Sequence, residues 1–440
     1  MGIDAKALNF DSAGTATLSP ELGALSSVQA AESKLLLGTY DRYPLLFVKG
    51  SGVYLEDENG VRYLDLLSGI GVNALGYAHP AIEKALVEQS HKLIHTSNLY
   101  YHEGQAALAL RLTEATGMDR AFFCNSGTEA NEAALKLARA WAKLQRDQGK
   151  PLGTKFLALE NSFHGRTMGS VAATWKDKYR EPFDPVMPGV EFLRFDDIDD
   201  LKAKFSTDVC AILIEAIQGE GGIRPVSQEF FQAARDLTRS TGALLIADEI
   251  QSGMGRTGKF CAYQHYDIQP DVTTLAKPLA GGVPLGALLC TERAAQAIHA
   301  GMHGTTFGGG PLACAVALAM LSTIERDRLL DHVTETGTYF HNRLQDLAQQ
   351  HSVIVDVRGL GLMLAIELDS ADLAKTVLNE MMKRHILINR TSETVLRFLP
   401  PYILEKEHVD AGIAALNEIL SEQTAQTAVT PVPGGKKIGN

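Results

Sequence analysis

Short apolar runs alternate with amphipathic stretches through the middle of this chain, and this alternation limits the possible folds more than any other feature of the sequence. Apolar residues at helical spacing separate the runs, as in residues 228–240. A strand that is apolar along its whole length needs cover on both faces, which a parallel sheet packed between helices provides. The sequence therefore predicts an α/β fold with a mostly parallel central sheet. The predicted strands are residues 121–124, 156–160, 209–215, 243–249, 271–277 and 285–291.

Composition and periodicity divide the rest of the chain into segments. Residues 1–30 are rich in small and polar residues and predict a loose N-terminal arm, with one helix near residues 20–31. Residues 76–321 hold the predicted sheet and form a large domain, whereas residues 31–75 and 322–422 are expected to combine into a smaller α+β domain. Residues 423–440 are polar, contain two prolines and predict a disordered tail.

Charge and cysteine content narrow the choice of partners and compartment. The net charge of −11 over 440 residues argues against nucleic acid or an anionic membrane as the main partner. The five cysteines are scattered without a C-x-x-C pair, which is typical of thiols in a reducing compartment rather than of disulfides or a metal site. No run reaches the roughly 18 apolar residues of a membrane span, and no secretory signal is recognisable. We therefore expect a cytoplasmic protein that binds no metal.

Polar residues follow several of the predicted strands, at the edge of the sheet where ligands of such folds bind. Ser126, Gly127 and Thr128 lie between the first strand and a helix, where free backbone amides and the helix dipole favour an anion such as phosphate. The same residues, followed by Glu129, are also typical of a simple helix cap. A second loop, residues 303–311, again offers two hydroxyls and a run of three glycines.

Asp248 and Lys277 each end an apolar strand, which is an unfavourable place for a charge. Asp248 therefore either forms a structural salt bridge or keeps a pyridinium nitrogen protonated. Gln251 lies one helical turn further on and could face the same ligand. Lys277 either extends to solvent or is partly desolvated, which lowers the pKa of its amine and suits Schiff-base chemistry.

The segment FHGRT, residues 163–167, places an aromatic ring close to an arginine. Phe163 could stack on a flat cofactor or simply belong to the core. Arg166 lies among small residues, an arrangement that suits bidentate capture of a carboxylate.

Six motifs follow one another along the chain: NSGTEAN, FHGRT, EAIQGEGG, IADEIQSGMGRTG, LAKPLAGG and HGTTFGG. In this order they resemble the class III aminotransferases of the fold-type-I pyridoxal-phosphate family. The resemblance extends over about residues 40–420, essentially the whole predicted folded part. It implies a fold-type-I transferase that carries pyridoxal 5'-phosphate in its large domain and moves an amino group.

Position by position, the resemblance assigns roles around that cofactor. Lys277 matches the Schiff-base lysine, and Asp248 matches the partner of the pyridine nitrogen. Thr306 matches a phosphate contact that comes from the other subunit, which implies a homodimer with shared active sites. The other cofactor contacts that the resemblance implies are Ser126, Gly127, Thr128, Phe163, His164 and Gln251.

The resemblance also concerns the substrates. Arg166 resembles the arginine for one carboxylate of 2-oxoglutarate and glutamate, and Arg397 resembles the arginine for the α-carboxylate of glutamate. Glu220 resembles the glutamate that neutralises this second arginine when the other substrate is bound. Such a gate is characteristic of enzymes whose donor presents an ω-amino group.

Within the family, the motif around Met254 looks closest to acetylornithine aminotransferases, and Arg42 stands where ornithine aminotransferases are expected to have a tyrosine. We therefore expect transamination of N2-acetylornithine with 2-oxoglutarate, a step of arginine biosynthesis. 4-Aminobutyrate, ornithine and succinylornithine are alternative donors. Alternatives of other classes are a pyridoxal-phosphate aminomutase, which would lack the paired arginines, and a cofactor-binding protein without activity.

Overall fold

The computed structural model describes residues 8–10, 16–18 and 24–429 of the chain. Its strands are β1 (Leu8–Phe10), β2 (Ala16–Leu18), β3 (Phe47–Ser51), β4 (Tyr54–Asp57), β5 (Arg62–Asp65), β6 (Arg120–Cys124), β7 (Lys155–Leu159), β8 (Val190–Leu193), β9 (Val209–Ile214), β10 (Ile217–Gln218), β11 (Arg224–Pro225), β12 (Leu244–Asp248), β13 (Val272–Leu275), β14 (Gly286–Cys290), β15 (Ile354–Leu360), β16 (Met363–Leu368), β17 (Ile386–Leu387), β18 (Asn389–Arg390) and β19 (Val395–Phe398).

The α-helices are α1 (Ala24–Leu35), α2 (Ser68–Gly71), α3 (Pro80–Ser90), α4 (Glu103–Thr116), α5 (Gly127–Asp147), α6 (Met168–Ala172), α7 (Asp177–Arg180), α8 (Ile198–Lys204), α9 (Gln228–Thr241), α10 (Glu292–Ala295), α11 (Pro311–Arg326), α12 (Leu329–Gln350), α13 (Ala371–Lys383) and α14 (Lys406–Val429). Short 3-10 helices span Glu181–Phe183, Ala262–Tyr266 and Lys277–Ala280.

The central sheet of the large domain has seven strands within the described chain, in the order β6-β14-β13-β12-β9-β7-β8. The pairs from β13 to β8 are parallel, while β14 is antiparallel to both β13 and β6. The predicted mostly parallel sheet is therefore confirmed, and all six predicted strands belong to it. The seventh strand, β8, escaped prediction because its sequence VEFL is short and interrupted by a glutamate.

Helices cover both faces of this sheet, as the continuous apolar strands require. In β9 and β12, alternate residues pack into different clusters. Leu213 and Ile246 pack with the buried side of α5, which carries a stripe that includes Trp141. Ile214 and Leu245 pack on the other face, with residues of α9. Every residue of both strands is buried.

The small domain is built from both ends of the folded chain. In the sheet β17-β5-β4-β3, the C-terminal strand β17 pairs in parallel with β5, so that Ile386 lies opposite Leu64. A second sheet, β15-β16-β19-β18, is antiparallel throughout. The predicted α+β domain made of N- and C-terminal segments is therefore confirmed.

The two chain ends differ from the predictions where the structure describes them. At residues 423–429, within the predicted disordered tail, α14 continues as a helix to Val429. That stretch contains neither glycine nor proline, and the first proline of the tail is Pro431. Residues 430–440 lie outside the described residues. At the other end, α1 crosses the predicted boundary between residues 30 and 31, since no glycine or proline interrupts the chain from Ala24 to Leu35.

Within residues 8–10, 16–18 and 24–429, no helix is both long and apolar enough to cross a membrane. The same residues contain no group of histidine, cysteine and acidic side chains suited to a metal ion. All five cysteines are buried as free thiols.

Candidate active site

A cavity of about 380 Å³ opens at the carboxyl edge of the central sheet, beyond the ends of β6, β7, β9, β12 and β13. The parallel sheet brings residues that are distant in sequence to this one edge. The predicted site residues that line the cavity are Ser126, Gly127, Thr128, Phe163, His164, Arg166, Glu220, Asp248, Gln251 and Lys277. Arg397 and Thr306 lie outside its lining.

Helix α5 begins at the cavity wall. The hydroxyl of Ser126 accepts a hydrogen bond from the backbone N–H of Glu129 at 3.3 Å, so this side chain caps the helix. The backbone amides of Gly127 and Thr128 have no acceptor inside the helix, as in the first turn of any α-helix. Capping and anion binding are therefore compatible here, because the side chain serves one and the backbone amides serve the other.

The hydroxyl of Thr128 holds the loop that follows β7. It accepts hydrogen bonds from the backbone N–H groups of Arg166 and Thr167, both at 3.2 Å, and lies 2.8 Å from the hydroxyl of Thr167. Gly165 sits between these groups, and a Cβ there would fall 2.3 Å from the Thr128 hydroxyl oxygen. Thr128 thus joins the start of α5 to the loop that carries Arg166.

Asp248 ends β12 and is almost completely buried. Its Oδ2 accepts hydrogen bonds from Nδ2 of Asn131 and Nδ1 of His164, each at 2.7 Å, and its Oδ1 accepts one from the backbone N–H of Ile250 at 3.1 Å. Among the described residues, no lysine or arginine forms an ion pair with this carboxylate. Asp248 is therefore held rigidly at the cavity wall by a histidine, an amide and the backbone.

His164 and Glu215 are buried ionisable groups that interact with Asp248. Burial alone would lower the pKa of His164, but the hydrogen bond to Asp248 and the charges of Asp248 and Glu215 outweigh burial and raise that pKa above its ordinary value. Burial raises the pKa of Glu215, although its carboxylate accepts hydrogen bonds from the backbone N–H groups of Phe163 at 2.9 Å and Gly219 at 3.0 Å. The hydrogen bond to Asp248 therefore favours the protonated form of His164.

Lys277 follows β13 with a φ of 39°, in the left-handed region that a non-glycine residue enters only where its surroundings hold it. Burial and the charge of Arg397 lower the pKa of its amine to about 8, against the opposing charges of Glu220, Asp248 and Glu215. Of the two sequence alternatives for Lys277, the desolvated amine describes this environment.

Arg397 lies in β19, is completely buried, and reaches the cavity through residues that line it. Its Nη1 donates hydrogen bonds to Oε1 of Glu220 at 2.7 Å and to Oε1 of Gln251 at 3.1 Å, and its Nε donates to Oδ1 of Asn389 at 2.9 Å. Burial would raise the pKa of Glu220, but the charges of Arg397 and Lys277 hold it below its ordinary value. Glu220 is thus an ionised partner of a buried guanidinium at the cavity wall.

Arg166 lies at the exposed side of the cavity. Its guanidinium carbon is 3.6 Å from the ring centroid of Tyr179 and 5.6 Å from that of Phe163. The two rings meet edge to face, with centroids 6.1 Å apart. The aromatic ring of Tyr179 therefore orients this guanidinium in the lining of the cavity.

Thr306 and Arg42 lie away from the cavity of this chain. Thr306 is exposed in the loop before α11. Arg42 is more than half exposed and forms an ion pair with Glu32 of α1. A role of Thr306 in an active site requires a second subunit, as its resemblance to a cross-subunit contact implies.

Glu215, Asn131 and Tyr179 contact residues of this site but were not predicted from the sequence. Glu215 immediately follows the apolar strand β9, and a carboxylate at the end of an apolar run is the same signal that singled out Asp248, so Glu215 could have been found. Asn131 lies one turn into α5 and carries no signal, because its role depends on where β12 packs. Tyr179 contacts Arg166 only because the chain folds back after α6.

The comparisons with known proteins agree with this geometry. A family model described as "Aminotransferase class-III" matches residues 38–420. The acetylornithine aminotransferase of Methanocaldococcus jannaschii is 48% identical over 395 residues, which cover 89% of this chain and 97% of that protein. The solved ornithine aminotransferase of Toxoplasma gondii superposes with a TM-score of 0.88 at 31% identity, covering 92% of this chain and 97% of that chain. The solved acetylornithine aminotransferase of Elizabethkingia anophelis superposes with a TM-score of 0.79 at 31% identity, and the match covers 90% of this chain and 99% of that chain. This chain belongs to the class-III aminotransferases.

Proposed function

We propose that this aminotransferase uses pyridoxal 5'-phosphate to transfer the terminal amino group of N2-acetylornithine to 2-oxoglutarate. The products would be N-acetylglutamate 5-semialdehyde and glutamate. The relatives from M. jannaschii and E. anophelis are acetylornithine aminotransferases, and the first is similar along nearly its whole length. The chemistry of the cavity residues supports both the cofactor and the type of donor.

The cavity residues fit the parts of pyridoxal phosphate. The free backbone amides at the start of α5 suit the phosphate. The buried carboxylate of Asp248 suits a protonated ring nitrogen, since a charged acceptor strengthens that hydrogen bond. The amine of Lys277, with its pKa lowered to about 8, suits covalent attachment to an aldehyde. When bound, this cofactor acts as an electron sink for the carbon that bears the amino group.

The chain itself supplies the proton transfers. With the donor bound in the cavity, the deprotonated Nζ atom of Lys277 would take a proton from the carbon that bears the amino group. A positioned base of this kind contributes roughly 10²- to 10⁴-fold to the rate. The carboxylate of Asp248, held by Asn131 and His164, would accept a hydrogen bond from the ring nitrogen of the cofactor and favour its protonated form. Lys277 and Asp248 are therefore the proposed catalytic residues.

The observation that carries the choice of an ω-amino donor is the ion pair of Glu220 and Arg397. Glutamate must place its α-carboxylate beside the reacting amine, where Arg397 can bind it. N2-acetylornithine reacts through its terminal amine and brings no carboxylate to that position. Because an unpaired buried cation is costly, Glu220 serves as the partner of Arg397 whenever the acetylated donor is bound.

A homodimer with shared active sites is part of the proposal. The loop that contains Thr306 borders a surface cavity whose lining includes Leu99, Tyr100 and Tyr101, and all three side chains are exposed in the single chain. A contiguous apolar surface of this kind is typical of a protein interface. Burial of this surface against a second copy would bring Thr306 of one subunit towards the cavity of the other.

A comparison of amino donors tests the proposed function. Purified protein is supplied with pyridoxal phosphate and 2-oxoglutarate, and glutamate formation is measured with N2-acetylornithine, succinylornithine, ornithine and 4-aminobutyrate. We expect the highest kcat/KM for N2-acetylornithine, by about tenfold or more over free ornithine, because loss of buried contacts to one group is worth about that factor. A higher kcat/KM for ornithine or 4-aminobutyrate would replace the proposed donor.

A further inference from the structure

We propose that Arg256 is a positioning residue for the recognition of the α-carboxylate, because its guanidinium fixes the strand end that carries Arg397. This inference rests on the proposed function, in which Arg397 binds that carboxylate. Arg256 itself does not line the cavity. Its effect is therefore exerted through the backbone of the small domain.

Arg256 lies in the loop after β12 and is completely buried. Its Nη1 donates hydrogen bonds to the backbone carbonyls of Leu362, at 3.2 Å, and Pro400. The N–H of Leu362 donates in return to the carbonyl of Arg256 at 3.0 Å. The ring centroid of Tyr402 lies 4.6 Å from its guanidinium carbon. One side chain thus joins a loop of the large domain to three residues of the small domain.

The residues that Arg256 contacts lie close to Arg397 along β19 or next to the strand that pairs with β19. Pro400 follows Arg397 by three residues, just beyond the end of β19. Leu362 immediately precedes β16, the strand that pairs with β19. The loop that carries Arg256 also carries Gln251, whose Oε1 is 3.1 Å from Nη1 of Arg397. This single loop therefore contacts both the guanidinium of Arg397 and the backbone that positions it.

A contribution to stability does not explain an arginine at this place. Within the described residues its guanidinium contacts two backbone carbonyls and the ring of Tyr402, and no carboxylate contributes to its electrostatic environment. Burial lowers the pKa of Arg256 below its ordinary value, against the opposing effect of Tyr402. An apolar side chain of similar volume is often as good or better for stability than a buried charge that lacks a carboxylate partner. The arginine supplies directional hydrogen bonds to the backbone carbonyls of Leu362 and Pro400.

Loss of that bond would let the end of β19 move relative to Gln251 and Glu220. Bidentate binding of a carboxylate by a guanidinium depends on the relative placement of both groups. We therefore expect a selective loss for ligands that place a carboxylate beside the reacting carbon. N2-acetylornithine does not use Arg397 for a carboxylate, so its binding should change little.

The experiment measures the binding of glutarate, a dicarboxylate without a reactive group, to the cofactor-loaded enzyme by calorimetry. Arg256→Met should weaken glutarate binding by about tenfold or more, and Arg256→Lys should weaken it less, because lysine can donate to a carbonyl but lacks the planar fork. The KM for N2-acetylornithine should stay close to the wild-type value, and thermal unfolding of each variant verifies that it is folded. The matched control is Arg235→Lys, since Arg235 is also buried but bonds Asp271 at 2.9 Å within the large domain. It should leave the glutarate affinity unchanged.

Unchanged glutarate affinity in a folded Arg256 variant, or equal losses for glutarate and N2-acetylornithine, would overturn the role of Arg256. If Arg256→Met does not fold, Arg256→Lys decides the question by the same measurements. Arg397→Lys separates the two proposals. If it leaves glutarate binding intact, the proposed role of Arg397 fails; if it weakens glutarate binding while the Arg256 variants do not, only the positioning role fails.

Discussion

Replacing Glu220 by alanine should speed the half-reaction with glutamate and leave the half-reaction with N2-acetylornithine unchanged or slower. In the wild type, Oε1 of Glu220 lies 2.7 Å from Nη1 of Arg397, and the α-carboxylate of glutamate must displace it. Without Glu220 the guanidinium is permanently available. The acetylated donor, in contrast, loses the carboxylate that neutralises Arg397.

The size of the effect follows from the environment of the pair. With charge centres about 4 Å apart and an effective dielectric constant of about 20, the attraction is about 4 kcal/mol. The cost of desolvating the two charges offsets much of this attraction, and solvent screens it further because the side chain of Glu220 is 28% exposed. Gln251 and Asn389 also remain hydrogen-bond partners of Arg397 after the substitution. A net displacement cost of about 1–2 kcal/mol remains, which corresponds to about a 5- to 30-fold faster reaction with subsaturating glutamate.

Single-turnover measurements give the two halves separately. The absorbance of the bound cofactor is followed after mixing with glutamate or with N2-acetylornithine, for the wild type, Glu220→Ala and Arg397→Ala. Arg397→Ala should chiefly slow the glutamate half. The matched control is Glu367→Ala, because Glu367 pairs with Arg358 at 2.6 Å with similar exposure but lies outside the cavity lining. It should leave the ratio of the two rates unchanged.

If Glu220→Ala slows the half-reactions with glutamate and with N2-acetylornithine equally, the proposed exchange of Glu220 for a substrate carboxylate at Arg397 is refuted. Glu220 would then only support the fold. A gain with both donors would also refute this exchange, because that result would mean general opening of the cavity. Thermal unfolding of each variant separates these outcomes from simple destabilisation.

Lys277→Ala should abolish turnover, and borohydride reduction followed by peptide mass spectrometry should place the cofactor on Lys277 and on no other lysine of the wild type. In cofactor-free protein, labelling of this amine should rise with pH around a midpoint near 8, because only the deprotonated amine reacts; a midpoint near the ordinary 10.5 would contradict the desolvated environment. Asp248→Asn should retain the fold but lower kcat by about 10²-fold or more, since the ring nitrogen loses its anionic partner; a smaller loss would remove Asp248 from the catalytic residues. Mixing Lys277→Ala with Thr306→Ala chains should restore about a quarter of the wild-type activity, because one site in each mixed dimer regains both residues; no recovery after proven subunit exchange would assign Thr306 to its own subunit.

The sequence was most informative where one local signal decided the structure. The strands of the large domain are continuous apolar runs, so their place in a covered sheet follows from the hydrophobic effect alone. The polar residues at their ends share one edge because parallel strands end on the same side. Asp248 and Lys277 could therefore be placed together from sequence, although they are 29 positions apart.

The sequence was less informative where a role depends on packing between distant segments. Arg256 bonds carbonyls 106 and 144 positions further along the chain, and backbone carbonyls carry no sequence signal. Asn131 contacts Asp248 over 117 positions for a similar reason. Polar composition predicts a tail from residue 423, whereas α14 continues to Val429, because the positions of glycine and proline mark the limit of a helix more directly than polarity does.

The two arginines proposed to bind carboxylates differ in their partners, and the chemistry of the two amino donors explains the difference. Glutamate and N2-acetylornithine both carry a carboxylate at the end remote from the reacting amine. A cation at that end is occupied in both half-reactions and needs no substitute partner. Arg166 meets this condition, because its guanidinium stacks on Tyr179 at the cavity mouth and forms no ion pair within the part of the chain that the structure describes.

Only glutamate carries a second carboxylate beside the reacting carbon. Arg397, the cation proposed for that end, is completely buried and would lack a counter-charge in every other half-reaction. Glu220 supplies that charge, and its partial exposure to the cavity leaves room for it to move aside. An enzyme restricted to α-amino donors needs no such partner, because each of its substrates brings a carboxylate to the buried arginine. One free cation in the cavity lining, and one buried cation paired with a carboxylate of that lining, are therefore what an ω-amino donor requires.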